Sequence, residues 1–337
     1  MMRLVLAQAA VKETVGGDPV AHARAVAELA STLYEMSRRG LGDTRAAAAD
    51  NLARAMAAFE QHLPDTRADL ANAHYLCADM ARGRDHPTAQ RHFEAALALV
   101  RREEEPMLWA AVNEGLAAAL IRGPEADVPA VQERSIELYQ EALTVEPPQV
   151  PGDHWAMSAH GLALTLVERH RGTVVANWLG VLEVTDQALG YAMQGDDGRL
   201  KHWLFEINQR ARIGYGLAAL FGGALPDAEG MRHVREGARG LDVLRDERVT
   251  PLVDRLEAAL GARAETKAGL ARFLEAVLAI VEEIDDRRSR VMVHLLLASN
   301  ASDVAERTRH ASEAARLISP HDDEALREAV ADLATAP

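Results

Sequence analysis

Leu108-Trp109-Ala110 leads through Gly115-Leu116-Ala117-Ala118-Ala119-Leu120 to Ile121-Arg122-Gly123, and His154-Trp155-Ala156 leads through Gly161-Leu162-Ala163 to Leu164-Thr165-Leu166. In both copies the glycine stands six positions after the tryptophan. A phrase that returns with its internal spacing intact marks a chain built from repeated supersecondary units. No such unit buries its own apolar face alone, so neighbouring units supply the core. The reading of these two stretches therefore decides the fold: stacked helical hairpins rather than a domain wrapped around one centre.

Outward from the phrase, short breakers cut the chain into about fifteen segments of helical length. Gly16-Gly17-Asp18-Pro19 opens one, with Asp18 as cap and Pro19 at the first helical position, and Gly40-Leu41-Gly42-Asp43 closes it. Leu52, Met56, Phe59 and Leu63 form the stripe of the next, which stops at Pro64-Asp65. A further helix runs to Arg82-Gly83 and its partner begins after Pro87-Thr88. Gly123-Pro124, Pro147-Pro148, Gly172, Gly195-Asp196-Asp197-Gly198 and Gly222-Gly223 continue the punctuation. No run of four to eight residues shows strict apolar/polar alternation, so the fold is expected to be all-α with antiparallel neighbours.

From about Pro226 the tryptophan phrase is gone, and Thr250-Pro251, Gly261 and Ser319-Pro320 are the clearest breaks. Leu270, Phe273, Leu274, Val277, Leu278 and Val281 still make a helical stripe. The expected organisation is a repeat array over 1–225, then a divergent continuation or cap over 226–337, with a separate helical bundle as the alternative.

Composition sets outer limits. The 337 residues carry a formal net charge of −14, which argues against nucleic acid as partner because phosphate binding needs a basic footprint. Cys77 is the only cysteine, so neither an intrachain disulfide nor a cysteine metal cluster is available. Its apolar context, Tyr75-Leu76-Cys77-Ala78, suits a buried, inert thiol. The apolar patch after Met1 is too short for a secretory signal, and no run approaches the roughly 20 apolar residues of a membrane span. The expected location is the cytoplasm.

The second helix of each early hairpin holds a small residue four before an aromatic: Ala55/Phe59, Ala89/Phe93 and Ser135/Tyr139. Ala96 and Ala142 follow the latter two aromatics by three, whereas His62 stands at that place in the first. Pro147 follows Tyr139 by eight. This resembles the tetratricopeptide repeat, best over Ala73–Ala96, where Leu76, Cys77 and Met80 take the large, small and large places of the first helix. The resemblance covers about Ala46–Gly222 and implies a right-handed solenoid of antiparallel hairpins whose concave face binds a peptide or partner protein. Phe59 to Phe93 spans 34 positions, but Phe93 to Tyr139 and Trp109 to Trp155 each span 46. That longer unit is similar to bacterial arrays joined to caspase-like CHAT protease domains. A third copy is ambiguous, since Trp203 aligns with Trp155, or Gly216-Leu217-Ala218 with Gly161-Leu162-Ala163, but not both.

Little in the chain points to catalysis or to a cofactor. None of the thirteen histidines forms a His-Glu-x-x-His pair, and no Glu-x-x-His pair recurs as a di-iron bundle requires. His154, His160 and His170 stand at offsets that do not share one helix face. Glu103-Glu104-Glu105 and Asp322-Asp323-Glu324 read as charged helix ends. Gly214-x-Gly216 follows no strand, so it is no dinucleotide loop and instead allows close helix contact. No catalytic, cofactor-binding or metal residue is assigned.

Two sets of residues remain as candidates. Aligning the phrases puts Asn72 in register with Val112 and Ser158, with Asn113 one place on, as candidates for a concave groove, and Asn208 and Arg212 share a face of a later helix; such Asn and Arg groups hydrogen-bond a peptide backbone or carboxylate. Trp178, Trp203, Phe205 and Tyr215, with Phe221 beyond, gather aromatics where repeat regularity fails, as in a ligand pocket. Trp109 and Trp155 read as packing residues, and Trp178 has no counterpart in the repeats. The leading expectation is a non-enzymatic interaction scaffold. The alternatives are a small-molecule sensor or unusual all-α enzyme with a pocket near residues 178–222, and a regulatory subunit of a protease-linked bacterial defence or signalling system.

Overall fold

The computed structural model describes residues 2–147, 151–222, 227–243, 248–261, 266–320, 322 and 324–335. Among the described residues the chain is all-α, with sixteen helices and no strand. Its contacts group it into two compact units, Met1–Ser158 and Ala159–Pro337.

The first unit contains α1 (Met2–Thr14), α2 (Pro19–Arg38), α3 (Arg45–Gln61), α4 (Arg67–Ala81), α5 (His86–Leu99), α6 (Pro106–Leu120), α7 (Pro129–Leu143) and the start of α8 (Gly152–Val167). Helices α2/α3, α4/α5 and α6/α7 pack pairwise, and α4 also touches both α2 and α6. Asp18 caps α2 by accepting from the Val20 and Ala21 N–H groups. Asp85 caps α5 through the Thr88 N–H at 3.1 Å. The latter helix therefore starts before Pro87 rather than after Thr88, because a proline in the first turn sacrifices only an N–H that has no helical partner. The α3 stripe is shorter than its spacing suggests: the helix ends at Gln61, and Leu63 lies beyond it, 46% exposed.

The core of this unit follows the small/aromatic pairs. Ala55, Phe59, Ala89, Phe93, Ser135 and Tyr139 are all buried. The glycine of the repeated phrase belongs to the same logic, since a Cβ on Gly115 would stand 2.3 Å from Phe93 Cε1. Only a residue without a side chain lets α6 approach the Phe93 ring that closely. Trp155 is buried and its indole N–H donates to the Leu143 carbonyl at 3.0 Å, while Trp109 is half-buried.

The second unit holds the remainder of α8 with α9 (Val174–Ala192), α10 (Gly198–Gly222), α11 (Asp227–Val243), α12 (Thr250–Gly261), α13 (Lys267–Glu283), α14 (Arg287–Asn300), α15 (Val304–Leu317) and α16 (Glu324–Thr335). The long helix α10 packs against α9, α11 and α14. It carries both Trp203 and Gly216, which stand 13 positions apart on one helix where the two clear copies of the phrase have six. The break expected at 225–226 lies outside the described residues, as do Pro148, Gly223 and Asp323. On either side of that break α10 and α11 pack closely: a Cβ on Gly216 would stand 2.6 Å from the Gly230 carbonyl oxygen. The Leu270–Val281 stripe of α13 supplies core through Phe273, Leu274, Val277 and Val281.

Candidate ligand-binding cavity

A cavity of about 190 Å³ opens within the second unit, and local helix periodicity builds its walls. His160, Leu164 and Val167 recur at i, i+4 and i+7 along α8, and Trp203, Ile207 and Arg210 repeat that spacing along α10. Trp178 from α9 lies behind them, buried to 2% exposure. Its indole rests on the α10 backbone, where a Cβ on Gly214 would stand 2.2 Å from Trp178 Cε2. Trp203 is 42% exposed and stacks on the His160 ring, with centroids 5.7 Å apart and planes inclined by 24°.

The remaining wall is the turn between α13 and α14, Asp285-Asp286-Arg287. Asp285 adopts a left-handed conformation, φ +51°, which aspartate tolerates better than most side chains. The Asp286 N–H then reaches back to the Val281 carbonyl at 2.9 Å and closes the end of α13. Asp286 also begins α14, its Oδ1 accepting from the Ser289 N–H at 3.1 Å. The other carboxylate oxygen, Oδ2, is buried with no hydrogen-bond partner.

Charged groups lock the turn in place. Arg287 donates two hydrogen bonds to Asp322, at 2.6 and 2.8 Å, and one to the Leu317 carbonyl at 3.0 Å. Burial alone would raise the Asp322 carboxyl, but hydrogen bonds from Arg287 and the Ser319 N–H override it and hold it below the ordinary carboxylate range. Arg288, itself buried, donates to the carbonyls of Val167 and Arg169 at 2.6 and 2.7 Å, which satisfies acceptors at the C-terminal end of α8. Within the cavity Arg210 donates to Glu206 at 2.6 Å. A second cavity of about 420 Å³ shares Glu206, Arg210 and Asp285 with the first and adds His202, Leu241 and Glu283 to its lining.

The candidate residues separate clearly. Trp178 and Trp203 come together in the cavity wall, whereas Phe205 and Tyr215 do not line it. Tyr215 instead meets His233 edge-on at 5.0 Å. Of the groove set, Asn72 is exposed. Asn113 and Ser158 are buried and donate to carbonyls of their own helices, at Trp109 and His154. Asn208 is buried in an internal network: its amide donates to Thr185 and Asp186, and its carbonyl oxygen accepts from Gln209 and Arg212. Arg212 lies 3.7 Å from both Asp186 and Glu236. A groove contact needs a side chain presented to solvent, and Asn113, Ser158 and Asn208 spend theirs on the fold.

Sequence reasoning did not single out Glu206, Arg210, Asp286 or Arg287 as site residues. The one local signal is the charged run Asp285-Asp286-Arg287-Arg288 interrupting an apolar stretch. Among the described residues no three His, Cys, Asp or Glu side chains converge to hold a metal ion, and no helix is long and apolar enough to cross a membrane. Burial pushes the half-buried Cys77 thiol up to about 11, so it is no ready nucleophile.

Fold and cavity together define only a broad class, an all-α helical protein with an aromatic-walled opening in its second unit. No family model and no curated protein matches the chain.

Proposed function

We propose that this chain is a non-enzymatic binding protein on a tetratricopeptide-like scaffold, and that its second unit holds a small organic molecule between Trp178 and Trp203. The observation that carries the reading is an aromatic-walled cavity whose lining residue Asp286 keeps a buried oxygen without a partner. Ligand sites combine such apolar walls with a few polar groups whose hydrogen bonds the protein leaves open. The paired helices of the first unit and their small/aromatic pairs support the repeat scaffold.

Ligand-observed NMR with a panel of benzene- and indole-sized fragments tests the proposal. Fragments should bind the wild type, and Leu164→Trp, which places a larger side chain in the lining, should remove that binding while leaving the helical circular dichroism spectrum intact. Failure of every fragment to bind the wild type would end the reading.

A further inference from the structure

We infer that this cavity takes an organic ammonium carrying an apolar group about the size of a benzene ring, with the ammonium hydrogen-bonded to Asp286 Oδ2. The inference rests on the binding reading above and adds the chemistry of the ligand.

Size comes first. Apolar cavities of about 150 Å³ accept a benzene molecule, and this one measures about 190 Å³ with Leu164, Val167, Ile207 and two indoles in its lining. Charge comes second. Glu168, Glu206, Asp285 and Asp286 line the cavity against two guanidiniums, Arg210 and Arg287. Both guanidiniums are already matched, Arg210 by Glu206 at 2.6 Å and Arg287 by the buried Asp322. Asp285 has Arg290 3.7 Å away.

Asp286 is the decisive group. The residue is 8% exposed, its Oδ1 is used by the Ser289 N–H, and its Oδ2 is buried and unpartnered. A buried carboxylate oxygen calls for a donor, and a cationic donor compensates its desolvation best. Trp203, 42% exposed, suits the same ligand, because an indole face attracts a cation more strongly than any other side-chain ring. Arg210 leaves a buried Nε–H unpartnered. Its charge is spent on Glu206, so that N–H asks for a neutral acceptor and does not turn the site toward anions.

Calorimetric titration of the full chain near neutral pH with 2-phenylethylammonium, 2-phenylethanol and phenylacetate separates the possibilities, since the three differ mainly in head-group charge. The ammonium should bind at least about tenfold tighter than the alcohol, as expected for a hydrogen bond to a charged group, and phenylacetate should bind weakest. Asp286→Asn keeps a capping oxygen for the Ser289 N–H and should narrow the ammonium-to-alcohol ratio by about tenfold. Alcohol binding with no preference for the ammonium, or an unchanged ratio in Asp286→Asn, overturns the cationic inference while the cavity stands. Absence of binding by all three probes overturns both. If Asp286→Asn does not fold, the order of the three probes on the wild type decides alone.

Discussion

Acidification should weaken this protein through one buried histidine pair. His294 on α14 and His310 on α15 are both buried, with their Nδ1 atoms 2.9 Å apart. Arg309 donates to His310 Nε2 at 3.0 Å. The network therefore assigns the His310 proton to Nδ1, where it is donated to His294 Nδ1, and leaves the His294 proton on Nε2. A second proton on His294 would have to sit on Nδ1, facing the proton already there. Burial, and then the neighbouring His310, accordingly push His294 down from 6.5 to about 4; Arg290 and Arg309 act in the same direction and Glu313 in the opposite one. The unfolded chain takes up this proton near pH 6.5 and the folded chain not until about 4. Between those values the unfolded state binds more protons, so stability is full above the window and falls as pH drops through it, by about 1.4 kcal/mol per pH unit. From pH 6.5 to about pH 5 the loss assignable to His294 is about 2 kcal/mol. Urea denaturation of wild type and His294→Leu at both pH values measures it. The variant starts less stable, since His310 loses its acceptor, but should lose about 2 kcal/mol less on acidification than the wild type. Equal losses, or a His294 ring resonance titrating near its ordinary value, would refute the reasoning.

Other outcomes follow from packing and burial. Gly214→Ala forces a methyl into the Trp178 indole and should lower stability by about 1–3 kcal/mol, read by thermal denaturation alongside a red shift in tryptophan emission. Arg288→Met removes the cation 3.4 Å from buried Asp322 and the donor to the Val167 carbonyl, and should cost about 3–5 kcal/mol in denaturant unfolding. Cys77 should react with a thiol-labelling reagent far more slowly than free cysteine near pH 8, its rate still rising toward pH 11; fast labelling at neutral pH would contradict the burial of that thiol.

Much of the fold is local enough to be read along the chain. Asp18-Pro19 announces its helix because capping and a fixed proline φ act within one turn, and Phe59, Phe93 and Tyr139 declare a buried face through their spacing alone. The boundaries that slipped, at Pro87 and Leu63, are places where one residue's chemistry permits either side of the break. The cavity was only half legible. Trp178 stood out because it broke the pattern, and Trp203 because it sat where the third phrase failed. Asp286 and Arg287 are more than 80 positions from Trp203 in sequence, and nothing local says that the α13–α14 turn meets α10. Asn113 and Asn208 were illegible for the same reason, since a polar side chain presented to a groove looks identical in sequence to one folded back onto its own helix, as Asn113 is, or tied to a neighbouring helix, as Asn208 is to Thr185 and Asp186.

The bond from Arg288 to the end of α8 changes how the second unit should come apart. In an open array each repeat leans only on its neighbours, and the ends fray before the middle. Here one buried side chain joins segments 119 and 121 positions apart, and α10 meets α14 across the helices between. Opening one edge then releases the far one as well. The second unit should lose its amide-exchange protection as a single block, with the helices bordering the cavity opening together rather than in sequence.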